Sequence, residues 1–185
     1  MVLEIKRHPF SIEDYDQMIA VGILDEDDRV ELIEGEIVEM AALGDKHVIC
    51  VNELTYVITP TLSGDLRLSV QNTLRLGRSK PQPDLVVFRL SPAGLPTIPT
   101  AANTLLVMEV ADSSLNYDRT KKLPLYAQAG ILEAWLVDLV NRRIERHTDP
   151  SASGYRLIAI AGKGESLAST ILPGLVIAVD TVLGR

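Results

Sequence analysis

Two apolar stretches near the middle of the chain most constrain its fold. PQPDLVVFRL covers residues 81–90 and TLLVMEVAD covers residues 104–112, and both are almost continuously apolar. Runs of this kind predict central strands that are covered on both faces of a sheet. Each run also carries one acid, Asp84 at the start of the first and Glu109 within the second. A carboxylate taken out of water without a partner is costly, so the two acids suggest a shared site.

The simpler interpretation is that each acid lies at a strand end and points into solvent. The chain order favours a shared site, because Asp84 and Glu109 are 25 residues apart with one loop between their strands. Neighbouring strands would bring both carboxylates to one metal ion. Mg²⁺ prefers oxygen ligands and keeps several waters, so two or three carboxylates are enough to hold it. The pair therefore indicates a candidate metal site.

The flanking segments predict a mixed sheet with a few helices. Before the two central strands, the sequence first predicts a helix capped by Ser11 and ended by Gly22. Two strands joined by a tight turn at Glu34 and Gly35 follow it. A helix over 47–62, interrupted near Pro60, and strands over 66–76 with a turn at Asn72 come next. After them come a short helix over 120–130 with Pro124 in its first turn or at a kink, a hairpin across Asn141, and strands over 154–162 and 175–183. We expect one domain over residues 1–185, of class α/β (α+β), with a central mixed β-sheet flanked by helices and extra β-hairpins.

Composition limits the partners of the chain. Apolar residues make up 46% and charged residues 23%, as in ordinary globular proteins. The net charge of −7 argues against an extended phosphate-binding surface, and an aromatic content of 4% leaves little for stacking bases. A local basic strip can still suffice for a nuclease, so these values make nucleic-acid binding less expected without excluding it.

Several other chemistries are excluded by what the sequence lacks. Cys50 is alone, which excludes an internal disulfide and a cysteine-based zinc cluster. No Gly-rich phosphate loop, G-x-S-x-G elbow or Cys/His pair at useful spacing is present. The N-terminus has no long apolar region, and no apolar run is long enough to span a membrane. We therefore expect no membrane association and a cytoplasmic location.

A metal-dependent nuclease site also needs a lysine that orients the attacking water. In the compact form of such a site, this lysine follows the glutamate by two residues on the same strand face, but here that position is Ala111. The cation must come from elsewhere. Lys121 and Lys122, at the start of the following helix, are the nearest candidates.

A family resemblance extends this pattern over nearly the whole chain. The stretches RVELIEGEIVEM, VQNTLRL, PQPDLVVF, EVADSSLNYDRTKKLPLYAQAGILEAWLVD and ILPGL resemble the Uma2 family, which is assigned to the PD-(D/E)XK nuclease superfamily with its restriction-endonuclease-like core. The resemblance runs from about residue 10 to about residue 180, and the long central block is its most specific part. It implies a metal-dependent endonuclease that hydrolyses DNA phosphodiester bonds with Mg²⁺ or Mn²⁺, and superfamily analogy implies a homodimer.

The resemblance also implies roles for individual residues. Asp84, Glu109 and the early acid Glu31 match the metal-binding carboxylates, and Lys122 matches the catalytic lysine. Lys121 is a candidate substitute for Lys122. The matches at Gln71 and His47 imply polar positions near the pocket, to which no role is assigned.

Each of these residues has an ordinary alternative interpretation. Glu31 could pair with Arg29 across a hairpin edge, Lys122 could be a solvated helix residue, and His47 could be a surface or capping histidine. Asp118 would cap the helix that contains Lys122, Asp138 would end a strand in a turn, and Tyr126 and Trp135 would pack in the core.

The alternative function is a catalytically inactive module with the nuclease fold that binds nucleic acid or a protein partner. The acidic balance and the absence of a lysine at position 111 favour this alternative, whereas the relocated set of Asp84, Glu109 and Lys122 favours the enzyme. A transposon-associated or defence nuclease that needs a partner protein is a third hypothesis, and it rests on superfamily analogy alone.

Overall fold

A computed structural model describes residues 7–25 and 27–184 of the chain. The strands are β1 (Val30–Ile33), β2 (Glu36–Glu39), β3 (Leu66–Val70), β4 (Leu85–Arg89), β5 (Thr104–Ala111), β6 (Glu133–Asp138), β7 (Arg143–Ser151), β8 (Gly154–Ala161), β9 (Ser166–Ala168) and β10 (Val176–Ala178). The helices are α1 (Ile12–Ala20), α2 (Asp45–Ile58), α3 (Leu115–Tyr117), α4 (Leu123–Gln128) and α5 (Val179–Leu183), with a 3₁₀ turn at Thr59–Thr61 and a π-helical turn at Asp118–Lys122.

The centre of the fold is a six-stranded sheet in the order β3-β4-β5-β6-β7-β8. β5 and β6 are parallel, and every other neighbouring pair is antiparallel. Two small hairpins, β1-β2 and β9-β10, lie beside this sheet. The predicted mixed sheet with flanking helices and extra hairpins is therefore confirmed.

The two faces of the sheet are covered by different helices. On one face, Cys50, Leu54 and Ile58 of α2 pack in a cluster with Leu85 and Met108. On the opposite face, a second cluster contains Leu123 and Tyr126 of α4 together with strand residues 86, 107 and 136. Coverage on both sides explains why β4 and β5 are almost continuously apolar.

The N-terminal hairpin is held close to the sheet by backbone and side-chain hydrogen bonds. Ser11 caps α1 in a capping box with Asp14, as its sequence predicts. The Tyr15 hydroxyl of α1 donates to the carbonyl of Val30 over 3.0 Å. The Lys80 backbone N–H, just before β4, donates to the carbonyl of Leu32 over 2.7 Å. These bonds fix β1, and therefore Glu31, beside the start of β4.

The helical segment after β5 changes its winding where it contains Pro124. This proline is in the first turn of α4, and the π-helical turn directly precedes it. Proline cannot donate a backbone hydrogen bond to the residue four positions earlier, here Thr120, so a change of winding accommodates it. The sequence predicts that Pro124 lies either in the first turn of the helix or at a kink. In the structure it lies in the first turn of α4, directly after the change of winding.

Two strand predictions need correction. Residues 176–178 form a strand, but the chain then continues as α5 rather than as a strand, because Val179 and Val182 are buried at helical spacing. Residues 73–76 do not form a strand and make only isolated bridges, such as Leu76 with Ser79.

Within the described residues, no helix is both long and apolar enough to cross a membrane.

Gly35 provides a test of how tightly the N-terminal hairpin is packed. Its φ of +87° is left-handed, and an added Cβ would lie 2.5 Å from Pro9 Cβ and 3.0 Å from the Phe10 carbonyl oxygen. Gly22 is a matched control, because its φ of +74° is also left-handed but nothing lies within 4 Å of an added Cβ. We expect Gly22→Ala to lower the free energy of unfolding by about 1 kcal/mol and Gly35→Ala to lower it by about 2 to 4 kcal/mol. Urea unfolding measures both, and equal losses would contradict the close packing.

Candidate active site

The two strand acids lie side by side on neighbouring strands, with Glu109 on the face that α4 covers. Leu85 pairs with Met108, so Asp84 is level with Glu109 on the neighbouring strand, as the spacing of the sequence predicts. The backbone N–H of Val110 donates to Asp84 Oδ2 over 2.8 Å. Glu109 alternates with Met108 and Val110, which belong to the core on the other face. Both carboxylates are buried.

Lys122 joins this pair from the π-helical turn. Its Nζ lies 3.3 Å from Glu109 Oε1 and 3.2 Å from Glu31 Oε2. The lysine is buried, in contrast to the alternative interpretation of a solvated helix residue. Its neighbour Lys121 is exposed and does not line the cavity above the carboxylates. The structure therefore brings Lys122 to the acids and leaves Lys121 outside.

Glu31 reaches the site from β1 and accepts hydrogen bonds at both carboxylate oxygens. The Tyr117 hydroxyl donates to Oε1 over 3.2 Å, and the Gln82 backbone N–H donates to Oε2 over 3.1 Å. The ion pair of Glu31 is with Lys122 rather than with Arg29. Glu31 therefore joins the N-terminal hairpin to the helical segment through a buried salt bridge.

The two residues without an assigned role both contact Asp84. His47, in the first turn of α2, places Nε2 3.0 Å from Asp84 Oδ1, and it is buried rather than a surface or capping histidine. Gln71, which follows β3, donates from Nε2 to the same oxygen over 3.3 Å. Its backbone N–H also donates to the Asp84 carbonyl over 2.9 Å. Asp84 is thus held from three sides.

Two further residues belong to the site and were assigned other roles from the sequence. The Tyr126 hydroxyl donates to Glu109 Oε1, although Tyr126 also packs in the core as predicted. Asp118 is buried in the cavity wall, where it accepts a hydrogen bond of 2.6 Å from the Ser114 hydroxyl, and the N-cap of the turn that contains Lys122 is Tyr117 rather than Asp118. Asp118, Lys122 and Tyr126 follow one another at intervals of four residues, a helical spacing that could have revealed them.

Asp138 and Trp135 lie away from this centre. Asp138 ends β6 and accepts hydrogen bonds from Asn141 in the following turn, as predicted. Trp135 is fully buried in the core cluster below α2, and its indole N–H donates to Glu133 over 2.6 Å.

Burial and charge together set the protonation of the site. Burial raises the pKa of Glu109 well above its usual value, and Lys122 and the Tyr126 hydroxyl offset this only in part. Burial alone would lower the pKa of Lys122, but the carboxylates of Glu109, Glu31 and Asp118 together raise it above the usual value. Burial also raises the pKa of Asp118 to about 6. Lys122 is therefore a permanent cation at neutral pH.

An open cavity of about 550 Å³ gives access to these groups. Its lining includes the loop that follows β2 and the segment that follows β5. The lining residues from these two segments are Met40, Ala41, Ala42, Leu43 and Gly44 and, after β5, Asp112, Ser113 and Ser114, with Arg29 and Glu39 also lining the space. Asp84, Glu109 and Lys122 contribute to the same lining.

The donor set fits a small divalent cation held by two carboxylates. A carboxylate has about four lone-pair positions, and Asp84 uses three of them for Val110, His47 and Gln71. Among the described residues, no donor contacts Glu109 Oε2. The described ranges contain no group of three or more His, Cys, Asp or Glu side chains arranged to hold a metal ion. Mg²⁺ needs only one or two carboxylates and keeps several waters, so Asp84 and Glu109 fit it.

Comparison with known proteins assigns the chain to a family. Residues 12–180 match the model of Uma2, described as "Putative restriction endonuclease". The chain belongs to the Uma2 family. No curated protein matches the chain.

A solved structure with a similar fold comes from Anabaena variabilis ATCC 29413. It is described as a putative nuclease belonging to DUF820, and it superposes with a TM-score of 0.73 at 17% sequence identity. The superposition covers 95% of the present chain and 98% of that chain. The expected restriction-endonuclease-like fold is therefore confirmed, and the Uma2 description supports a nuclease.

Asp118 predicts a pH dependence of stability. Its pKa is about 6 in the folded protein against an ordinary 3.8, so the folded state binds this proton more tightly than the unfolded state. The contribution of Asp118 is therefore favourable below about pH 4 and is lost as the pH rises through about 6. We expect Asp118→Asn to be as stable as wild type near pH 4 and up to about 3 kcal/mol more stable at pH 7.

Urea unfolding at several pH values in EDTA measures this difference. Asp112→Asn is the matched control, because Asp112 lines the same cavity but is exposed. A stability gain at pH 7 that is equal in the two variants would contradict the role of burial at Asp118.

Proposed function

We propose that the protein is a metal-dependent endonuclease that hydrolyses phosphodiester bonds of DNA. The observation that carries this proposal is the position of Lys122, which enters from the helical segment and reaches Glu109, whereas the strand itself has Ala111 at the compact lysine position. A buried lysine beside two acids, at the base of an open cavity, has a geometry suited to phosphodiester hydrolysis when a divalent ion offsets the charge of the acids. The family description supports the same reaction class.

Asp84 and Glu109 would hold Mg²⁺ or Mn²⁺. A divalent ion bound there would polarise the scissile phosphate and lower the pKa of a bound water. His47, Gln71 and the Val110 N–H keep the Asp84 carboxylate fixed, which favours a preorganised site. Tyr126 does the same for one oxygen of Glu109 and leaves the other oxygen accessible to an ion.

Lys122 orients the attacking water and offsets the negative charge that develops on the phosphate. It can do so at neutral pH because its neighbours keep its ammonium group protonated. A fixed cation in a buried site stabilises a developing charge more strongly than one in water. Lys121 cannot replace it without moving from solvent into the site.

Glu31 has two candidate roles in this mechanism. It could be a third metal ligand, as the family resemblance implies. Its contacts with Tyr117, Gln82 and Lys122 favour instead a positioning role, in which Glu31 holds the Lys122 ammonium in place. We propose the positioning role as the main one.

The alternative function is a module that binds nucleic acid or protein without cutting. The net charge of −7 favours this alternative, because it weakens the attraction of a whole nucleic-acid backbone.

Homodimer formation and a cytoplasmic location are also proposed. The first rests on superfamily analogy, and the second agrees with a lone buried Cys50.

Lys122 and Lys121 form a matched pair for testing the reaction. We expect Lys122→Met to reduce metal-dependent DNA cleavage by at least about 100-fold, because the charge that stabilises the transition state is removed. Lys121→Met should cleave at the wild-type rate, since this side chain is exposed. Plasmid and oligonucleotide cleavage with Mg²⁺ or Mn²⁺ measures both, with circular dichroism as the folding control. Equal cleavage by the two variants would show that contamination or another site is responsible.

Metal binding can be tested without a substrate. An ion that binds only the folded state stabilises it by about 2.7 kcal/mol at a concentration of 100 times Kd. We therefore expect Mg²⁺ or Mn²⁺ to raise the Tm of the wild type and to have no effect on an Asp84→Asn, Glu109→Gln double variant. A wild-type Tm that does not respond to either ion would favour the non-cutting module.

A further inference from the structure

We infer that the cavity accepts an unpaired DNA strand rather than the backbone of an intact duplex. This inference rests on the proposed function, because it names the substrate form that the same site would take. The observations that carry it are the depth of the reactive groups, the apolar residues that line the cavity and the distribution of charge.

The reactive side chains lie well below the surface. Asp84, Glu109 and Lys122 are only 8%, 3% and 5% exposed. A scissile phosphate must therefore enter the cavity of about 550 Å³ to approach them. This volume is typical of a pocket for a small molecule, and it suits a short piece of one strand.

The walls restrict what can reach this depth. Residues 40–43, which are all apolar, and residues 112–114 both line the cavity. In a duplex, the phosphates are held on a stiff helix that resists sharp bending. Bringing one of its phosphates down to these buried side chains favours a strand that has left the duplex, and unpairing it costs free energy that a single strand does not lose.

The charge distribution also favours a short contact. Tight duplex binding typically uses 6 to 10 phosphate contacts with Lys and Arg, whereas this chain has a net charge of −7. At the cavity itself, Arg29 is exposed and lines the space. Its carbonyl accepts the Met40 N–H over 2.7 Å, which fixes its backbone beside the apolar wall. Arg29 is thus placed to contact a phosphate next to the one that is cut.

The apolar wall provides contact for a sugar or base without aromatic stacking. Its residues are aliphatic, so each bound nucleotide gains less binding free energy than it would by stacking on aromatic side chains. We therefore expect modest affinity and a footprint of a few nucleotides, in agreement with the low aromatic content of 4%.

The test compares one labelled oligonucleotide as a single strand, as a blunt duplex and as a duplex with a central unpaired stretch. We expect wild type to cut the single strand and the unpaired stretch at least about tenfold faster than the duplex. In EDTA, where the proposed chemistry is blocked, fluorescence anisotropy should show at least about tenfold tighter binding of the single strand. Duplex that is cut as fast, or bound as tightly, would overturn the inference.

The two proposals can fail separately in this experiment. Absence of cleavage together with preferential binding of the single strand would refute the nuclease function and retain the inference. Efficient cleavage of the duplex would retain the function and refute the inference. If no form of the DNA is either cut or bound, both are refuted.

Arg29 gives an independent readout of strand entry. We expect Arg29→Ala to weaken single-strand binding and to reduce the slope of log K against log salt by about 0.7, the value for one phosphate contact on a single strand. Arg142→Ala is the matched control, because Arg142 is also exposed but lies away from the cavity. An unchanged slope in Arg29→Ala would overturn the assignment of Arg29 to the strand.

Discussion

The buried contact of Lys122 with Glu109 and Glu31 is the interaction on which the rest of the site depends. It joins the helical segment, the central sheet and the N-terminal hairpin at one point. Removing one partner from a buried ion pair typically costs about 3 to 5 kcal/mol, because the remaining charge is left without compensation. The hydrogen bonds of Tyr117 and Tyr126 complete the network, so that each glutamate accepts from a hydroxyl as well as from the ammonium.

The fold tolerates this buried polar network because the two faces of the sheet differ in composition. The face below α2 is a continuous apolar core that includes Leu85, Met108 and Trp135. The face below α4 is apolar over most of its area but carries Glu109 at one end, beside Asp84 at the start of the neighbouring strand. The stability of the fold can therefore come largely from the first face and from the apolar part of the second. The polar end of the second face contributes the candidate site.

The parts of the fold that could be predicted from the sequence are those with local signals. The apolar runs of β4 and β5, the Ser11 cap and the Glu34-Gly35 turn were predicted from their own residues, and the structure confirms them. The neighbouring positions of Asp84 and Glu109 followed from chain order. The choice of Lys122 over Lys121, and the role of Glu31, needed the family resemblance, since nothing local separates them from surface residues. The contact of His47 with Asp84 depends on a segment 37 residues away, whereas the helical spacing of Asp118, Lys122 and Tyr126 is a local signal.

The same long-range character has a consequence for how activity arises during folding. Glu31 and Tyr117 are separated by 86 residues in the chain, and their contact closes only when the hairpin and the helical segment have both docked. Contacts of such large separation form at a high entropic cost and depend on the sheet between them. A partly folded chain would have Glu31 and Lys122 apart. Under the proposed nuclease function, DNA cleavage therefore begins only after the hairpin and the helical segment have docked.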